Sequence, residues 1–177
     1  MMRKLWFLIA LCLFLTACGA ASPEETTDPP PTELPDEPLE GVIFTYQGKE
    51  YDLREREAGV NSLMGETQVG TFLVVEGHIN PNIAYYGIFD TESETFVKDI
   101  LGTHLTWRED DITTAAYDVW SDSCIYGYDG QLLAQLDLAE SEYVYSLSWT
   151  DSRHLSVNIT SATSDELTAL DLEVPAS

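Results

Sequence analysis

The sequence predicts an all-β fold, an antiparallel meander of about ten short strands preceded by a disordered tether. Apolar residues alternate with polar ones or form short runs of strand length, and turn-forming dipeptides separate these runs. No segment shows a convincing long helical period. Of the 177 residues, 44% are hydrophobic and 11% aromatic, a composition that suits a packed domain rather than a wholly disordered chain.

The first predicted element is a hairpin over residues 42–46 and 50–53, with Gln47-Gly48 as its turn. The remaining strands are predicted at residues 71–75, 84–89, 95–100, 114–120, 123–128, 131–138, 144–149, 154–160 and 167–174. Asp129-Gly130 is a strong hairpin signal between two of them. A short helix is considered only for residues 54–64, where Gly59 disfavours it.

A weak internal repeat accompanies these strands. Asp52, Asp90, Asp129 and Asp171 each follow an apolar residue, at spacings of 38, 39 and 42, and Trp107 and Trp149 are 42 apart. A period near 40 is typical of propeller blades, and residues 144–157 resemble the blade pattern of WD-type propellers. A closed propeller needs about four blades, whereas residues 41–177 supply about three. The strands therefore form either an open array of blade-like sheets or a sandwich.

The N-terminus has the organisation of an export signal. Arg3 and Lys4 precede an uncharged apolar run over residues 5–15, which is too short to span a bilayer but has the length of a signal-peptide core. Leu15-Thr16-Ala17-Cys18 then resembles the bacterial lipobox. The resemblance implies cleavage after residue 17, lipidation of Cys18 and an extracytoplasmic protein anchored to the cell membrane through its lipid.

The predicted mature chain divides at residue 40. Residues 18–40 hold the lipidated cysteine and a linker with six of the eight prolines and seven acidic residues, a composition that cannot form a core. Residues 41–177 form a single all-β domain. Only Cys124 remains as a free thiol after Cys12 is removed and Cys18 acylated, and its apolar neighbours favour a buried structural cysteine.

Charge excludes one class of partner. The chain contains 31 acidic and 8 basic residues, a formal net charge of -23. Loss of Arg3 and Lys4 makes the mature charge -25, of which -18 belongs to residues 41–177. No nucleic-acid partner is expected, because such partners require a basic surface. The acidity instead favours a cationic partner or Ca²⁺ and repels anionic wall polymer.

The sequence contains no GxSxG, HExxH, P-loop or GxGxxG pattern. His78, His104 and His154 are far apart and lack zinc-ligand spacing, so no catalytic residue, metal ligand or cofactor is predicted. The candidate ligand surface consists of aromatic and acidic residues in one stretch: Trp107, Glu109, Asp110, Asp111, Trp120 and Asp122. Such a surface suits a peptide or glycan, with Ca²⁺ as a possible ligand of the carboxylates; the alternative is a solvated turn and core aromatics.

The run from Asp110 to Asp122, followed by Tyr126 and Tyr128-Asp129-Gly130, resembles an extracellular β domain of Gram-positive bacteria. That domain occurs in stand-alone lipoproteins and in the outer part of membrane metallopeptidases of the β-lactam-sensor type. The resemblance covers residues 44–160 and implies a sensing or accessory role. It implies no peptidase activity, because the zinc motif is absent from this sequence.

We therefore expect a membrane-anchored lipoprotein with a non-catalytic β domain that binds a peptide, protein or glycan at the cell envelope. Two alternatives are kept. One is a small hydrolase that pairs Asp110 or Asp111 with Asp122, for which an inverting mechanism needs carboxyls about 6.5–9.5 Å apart. The other is a structural subunit of a surface complex.

Overall fold

In the computed structural model, which describes residues 40–174, the chain folds into thirteen strands in four antiparallel sheets, none of them closed into a barrel. The strands are β1 (Ile43–Tyr46), β2 (Lys49–Asp52), β3 (Ser62–Val69), β4 (Phe72–Asn80), β5 (Ile83–Asp90), β6 (Thr95–Gly102), β7 (Leu105–Arg108), β8 (Asp111–Val119), β9 (Cys124–Gly127), β10 (Leu132–Gln135), β11 (Glu142–Trp149), β12 (His154–Ser161) and β13 (Ser164–Glu173). The all-β antiparallel prediction is confirmed, with two strands beyond the eleven ranges predicted.

Each sheet contains strands that are consecutive in the chain. The sheets are the hairpin β1-β2, two four-stranded meanders of β3 to β6 and β7 to β10, and the three-stranded meander β11-β12-β13. The predicted turn of the first hairpin is confirmed: Gln47 and Gly48 have φ of 48° and 83°, the left-handed conformations that a two-residue hairpin loop requires. Local turn chemistry thus accounts for the first pairing.

The sheets stack face to face. One core cluster joins the hairpin to the first meander through Phe44, Leu53, Val75 and Phe89. A second joins the opposite face of that meander to β8 through Val74, Ile88, Ile100, Ile112 and Ala115. A third fills the space between the second meander and the last sheet through Ala116, Ile125, Leu147, Leu155 and Val157. Both central sheets are therefore buried on two faces, which explains the continuous apolar runs in β4 and β5.

Aromatic rings hold the hairpin against the first meander. Phe44 makes edge-on contacts with Phe89 and Phe96, at centroid distances of 5.2 and 5.8 Å, and Tyr51 does the same with Phe89 at 5.0 Å. Edge-to-face aromatic pairs contribute about 0.5–1.5 kcal/mol each beyond their burial. This cluster closes one end of the stack.

The structure differs from the sequence-based prediction at one helical segment and two strands. The helix considered and disfavoured for residues 54–64 does not form: a 3-10 helix covers only Leu53–Glu55, and β3 begins at Ser62. β3 escaped prediction because it is an edge strand with mostly exposed residues and an interior Gly65. β7 escaped it because four residues do not establish a period.

Six aspartates stabilise the turns by accepting the backbone N–H two residues further along, at 2.7–3.1 Å. They are Asp52, Asp90, Asp111, Asp122, Asp129 and Asp151. This local bond is the usual reason for aspartate in turns. Three of the four aspartates in the period near 40 belong to this set, so that pattern marks turns.

Several predictions concern the N-terminus. The signal segment 1–17, the lipobox with Cys18 and the tether up to residue 39 lie outside the described residues. Residues 40–174 lie within one compact unit, in which no α-helix occurs. Within that range no helix is long and apolar enough to cross a membrane.

Gly87 provides a test of this packing. A Cβ at Gly87 would lie 2.6 Å from Phe96 Cε1 and 2.6 Å from the Tyr85 hydroxyl, whereas a Cβ at Gly65 would meet nothing within 4 Å. Neither neighbour can yield easily, because Phe96 belongs to the aromatic cluster and Tyr85 donates to Asp99 at 2.7 Å. We expect Gly87→Ala to lower the free energy of unfolding by about 1–3 kcal/mol. The control Gly65→Ala should be neutral or stabilising by up to about 1 kcal/mol. Denaturant titration measures both, and equal effects would contradict the packing described.

Candidate functional site

The predicted ligand surface is divided by β8. Asp111 is the first residue of this strand, and Trp120 and Asp122 lie beyond its last residue, Val119. At about 3.3 Å per residue the strand separates its two ends by about 25 Å. Neither Asp110 nor Asp111 can therefore form a carboxylate pair with Asp122, and the pairing expected for a hydrolase is wrong.

One half of the predicted surface lines a cavity of about 440 Å³ between two sheets, named here the Trp107–Trp149 pocket. Its wall on the second meander comes from the β7–β8 turn, and its wall on the last sheet from the β11–β12 turn. The lining residues are Trp107, Arg108, Glu109, Asp111, Thr114, Trp149, Thr150, Asp151 and Ser152. Of the predicted residues, Trp107, Glu109 and Asp111 thus meet here, while Asp110 occupies the adjoining turn.

Arg108 covers Trp149. Its guanidinium carbon lies 4.9 Å from the ring centroid, within the range of a cation–π contact, and Nη1 donates to the carbonyl oxygen of Ser152. The backbone N–H of Arg108 donates to the Thr114 hydroxyl at 2.9 Å. Arg108 therefore links the two walls of the pocket.

Two buried donors at this pocket have no hydrogen-bond partner among the described residues: Arg108 Nε and Trp149 Nε1. A buried donor left unpaired costs about 1–3 kcal/mol. Both atoms belong to residues that line the pocket. The stacked pair therefore contains two donors that no described residue satisfies.

The acidic residues of the pocket differ in whether their carboxylates already accept hydrogen bonds. Asp111 Oδ1 accepts the N–H and the hydroxyl of Thr113, at 3.0 and 2.6 Å. Asp151 accepts the N–H groups of Arg153 and His154 at 2.7 and 2.8 Å, and His154 Nδ1 lies 2.7 Å from its other oxygen. Glu109, by contrast, is exposed and has no side-chain partner among residues 40–174. Its φ of 47° is a left-handed conformation that favours glycine.

The other half of the predicted surface lies at the far end of β8. Trp120 is 41% exposed, and its ring is tilted against that of Tyr143 with the centroids 5.1 Å apart. Both line a separate cavity of about 230 Å³ that also includes Glu140 and Glu142. A third cavity, of about 470 Å³ beside β2, contains none of the predicted residues.

Asp122 lines none of these three cavities. Its Oδ1 accepts the N–H of Cys124 at 3.1 Å, and Oδ2 accepts the Tyr126 hydroxyl at 2.7 Å. The bond to Asp122 raises the pKa of Tyr126 above its ordinary value. Cys124 is buried, as predicted, and its thiol donates to the carbonyl oxygen of Asp122 at 3.3 Å. These contacts give Asp122 a structural role.

The three histidines lie at different places in the fold. His104 Nδ1 is 3.0 Å from the buried carboxylate of Asp118, and His78 Nδ1 is 2.9 Å from the side-chain oxygen of Asn61. His154 pairs with Asp151 at the pocket. Within residues 40–174 no group of three or more His, Cys, Asp or Glu side chains is placed to hold a metal ion.

The sequence predicts Trp107 as a residue of the site but does not predict Arg108, Trp149 or Asp151. The available signal was the repeat, since Trp107 and Trp149 are 42 residues apart and both precede acidic turns. The repeat does not predict that the β7–β8 and β11–β12 turns lie side by side, because their proximity results from tertiary packing. The chain matches no protein-family model, no curated protein and no solved structure.

The pKa of His154 depends on its contact with Asp151, which lines the pocket. The hydrogen bond to Asp151 raises the pKa of His154 above its ordinary value of 6.5, and the N–H of Arg153 together with His154 lowers the pKa of Asp151. We expect NMR titration to find the His154 pKa above 6.5, and Asp151→Asn to return it toward that value.

These two pKa shifts make the free energy of unfolding depend on pH. The contribution of His154 is fully present below pH 6.5 and is lost as the pH rises through the raised pKa, whereas that of Asp151 is lost as the pH falls through its lowered pKa. Asp110→Asn is the control, because Asp110 does not contact His154. A His154 pKa that is the same in the wild type and in Asp151→Asn would contradict the pairing.

Proposed function

We propose that the protein is a membrane-anchored extracytoplasmic lipoprotein whose β domain binds a peptide or glycan of the cell envelope in the Trp107–Trp149 pocket. The lipobox at Cys18 supports the location. The observation that carries the binding role is a cavity of about 440 Å³ bounded by two tryptophans and one arginine. Indole rings beside polar groups are a frequent platform for sugars and peptides.

The side chains of the pocket favour a particular ligand chemistry. Arg108 Nε and Trp149 Nε1 need acceptors, which the carbonyl oxygens of a peptide or the hydroxyls of a sugar supply. Glu109, Asp111 and Asp151 line the pocket together with Arg108, the one cationic residue of its lining, so the net charge of the lining is negative. An uncharged or cationic ligand is therefore preferred over an anionic polymer.

The pocket also supports the interpretation of the sheets as blade-like repeats. The three larger sheets begin at Ser62, Leu105 and Glu142, at intervals close to the length of one propeller blade. Trp107 and Trp149 lie near the ends of the first strands of two successive sheets. In this interpretation the pocket forms between equivalent positions of neighbouring repeats.

Tryptophan variants test the binding role. We expect soluble peptide and glycan fragments released from the envelope to change the tryptophan fluorescence of the full-length protein in detergent. Trp107→Ala or Trp149→Ala should weaken binding about tenfold or more, because central aromatic contacts dominate such sites. Trp120→Ala is the matched control, since Trp120 lines the other cavity. Equal loss in all three variants, or no binding of either class of fragment at micromolar concentration, would refute the proposal.

Glu109 provides a second test, which separates stability from binding. Because its φ of 47° is unfavourable for a residue with a Cβ, Glu109→Gly should raise the free energy of unfolding by about 1 kcal/mol. The same variant removes a carboxylate from the rim and should weaken binding of cationic fragments. Glu94→Gly is the control: Glu94 has a φ of 52° and lies outside the pocket, so it should stabilise without changing affinity. Unchanged affinity in Glu109→Gly would exclude Glu109 from the site.

A further inference from the structure

We propose that the edge of β13, with which no strand among residues 40–174 pairs on the side away from β12, is a second binding site, at which an extended basic segment of a partner protein pairs as a fourth strand of the last sheet. The site differs from the Trp107–Trp149 pocket, to which β13 contributes no residue. The proposal rests on the topology of the sheet, the direction of its unpaired backbone groups and the charge of the strand.

The last sheet has one strand fewer than each of the two four-stranded meanders. The meanders β3 to β6 and β7 to β10 have four strands each, whereas β11-β12-β13 has three. β13 is the edge, and with ten residues it is the longest strand of the described chain. The opposite edge, β11, packs against β7 and β8. A long open edge is a template for pairing with another chain.

The backbone of this edge is regular. Pairing with β12 runs without irregularity from Thr168 to Glu173, and the segment contains neither proline nor glycine. The N–H of Val174 donates to Arg153 at 2.7 Å. Because hydrogen-bonding direction alternates along an antiparallel strand, the N–H and C=O groups of Ala169 and Asp171 point away from β12. These groups are available to a new strand.

The side chains at the edge are incompletely covered. Leu170 lies opposite the fully buried Val157 but is itself 37% exposed. Leu172, two residues further along on the same face, packs against the core cluster of that sheet. The apolar surface of the last sheet therefore continues to its edge, where an added strand with apolar side chains would cover it.

Charge selects the occupant. The ten residues of β13 include four acids and no Lys, Arg or His. A second copy of the chain would place acid beside acid, which destabilises strand pairing. Residues 19–40 of the same chain are acidic and contain six prolines, which cannot donate to a ladder. A partner strand that alternates basic and apolar residues would place its basic side chains beside the acids of β13 and its apolar side chains over Leu170.

The test uses the full-length protein in detergent and a ten-residue probe peptide of alternating valine and lysine, followed by fluorescence anisotropy. The comparison probe alternates valine and glutamate. We expect only the lysine probe to bind and its affinity to fall with salt. Hydrogen exchange should show new protection at the amides of Ala169 and Asp171, which an encounter through charge alone would leave unprotected.

Variants of the edge complete the test. Ala169→Pro removes an outward N–H without removing a bond to β12, and should weaken the lysine probe at least tenfold. Ala169→Thr keeps that N–H and should bind within about twofold of wild type. If circular dichroism shows that Ala169→Pro fails to fold, the double variant Glu166→Lys, Asp171→Lys replaces it and should also weaken binding tenfold.

Three results would overturn the proposal. One is equal binding of the lysine probe to Ala169→Pro and Ala169→Thr, which would indicate general charge attraction. Another is equal binding of both probes. The last is a dimer in gel filtration that Ala169→Pro converts to a monomer, because a second copy would then occupy the edge.

Discussion

The burial of β8 on both faces is the constraint on which the rest of the structure depends. Ala115 faces the first meander and Ala116 the last sheet, and both side chains are small enough to let two sheets approach one strand. The direction of β8 then determines where its ends lie. Asp111, at its start, reaches the Trp107–Trp149 pocket, and Trp120, beyond its end, lies in the smaller cavity. A continuous stretch of sequence is thereby divided between two separate places on the molecule.

This division explains how far the sequence could predict the site. Hairpin turns depend on residues that are adjacent in the chain, so Gln47-Gly48 and Asp129-Gly130 were sufficient to predict two hairpins. The apolar runs of β4 and β5 likewise predict buried strands from residues that are adjacent in the chain. β3 and β7 do not, because one is mostly exposed and the other is four residues long. The contact of Arg108 with Trp149 and Ser152 joins residues more than 40 positions apart, and nothing local to either partner specifies it.

The acidity of the domain has two physical consequences. Part of it serves the fold: carboxylates such as those of Asp90 and Asp129 accept turn N–H groups, and these bonds lower the pKa of both. Charge that is used in this way remains ionised and solvated, so a turn aspartate needs no metal ion to explain it. The acids that the turns do not use, among them Glu109, Glu166 and Asp171, set the charge that a ligand or partner strand must complement.

The unpaired donors of the pocket connect its folding to its proposed binding role. An arginine stacked on an indole would normally leave its Nε–H and the indole N–H accessible to water or to an acceptor. Here both are buried and unpartnered, at a cost that is appreciable against a typical stability of about 5–15 kcal/mol. A ligand that displaces Arg108 and offers acceptor oxygens would recover the lost hydrogen bonds on binding, because folding has already desolvated the donors.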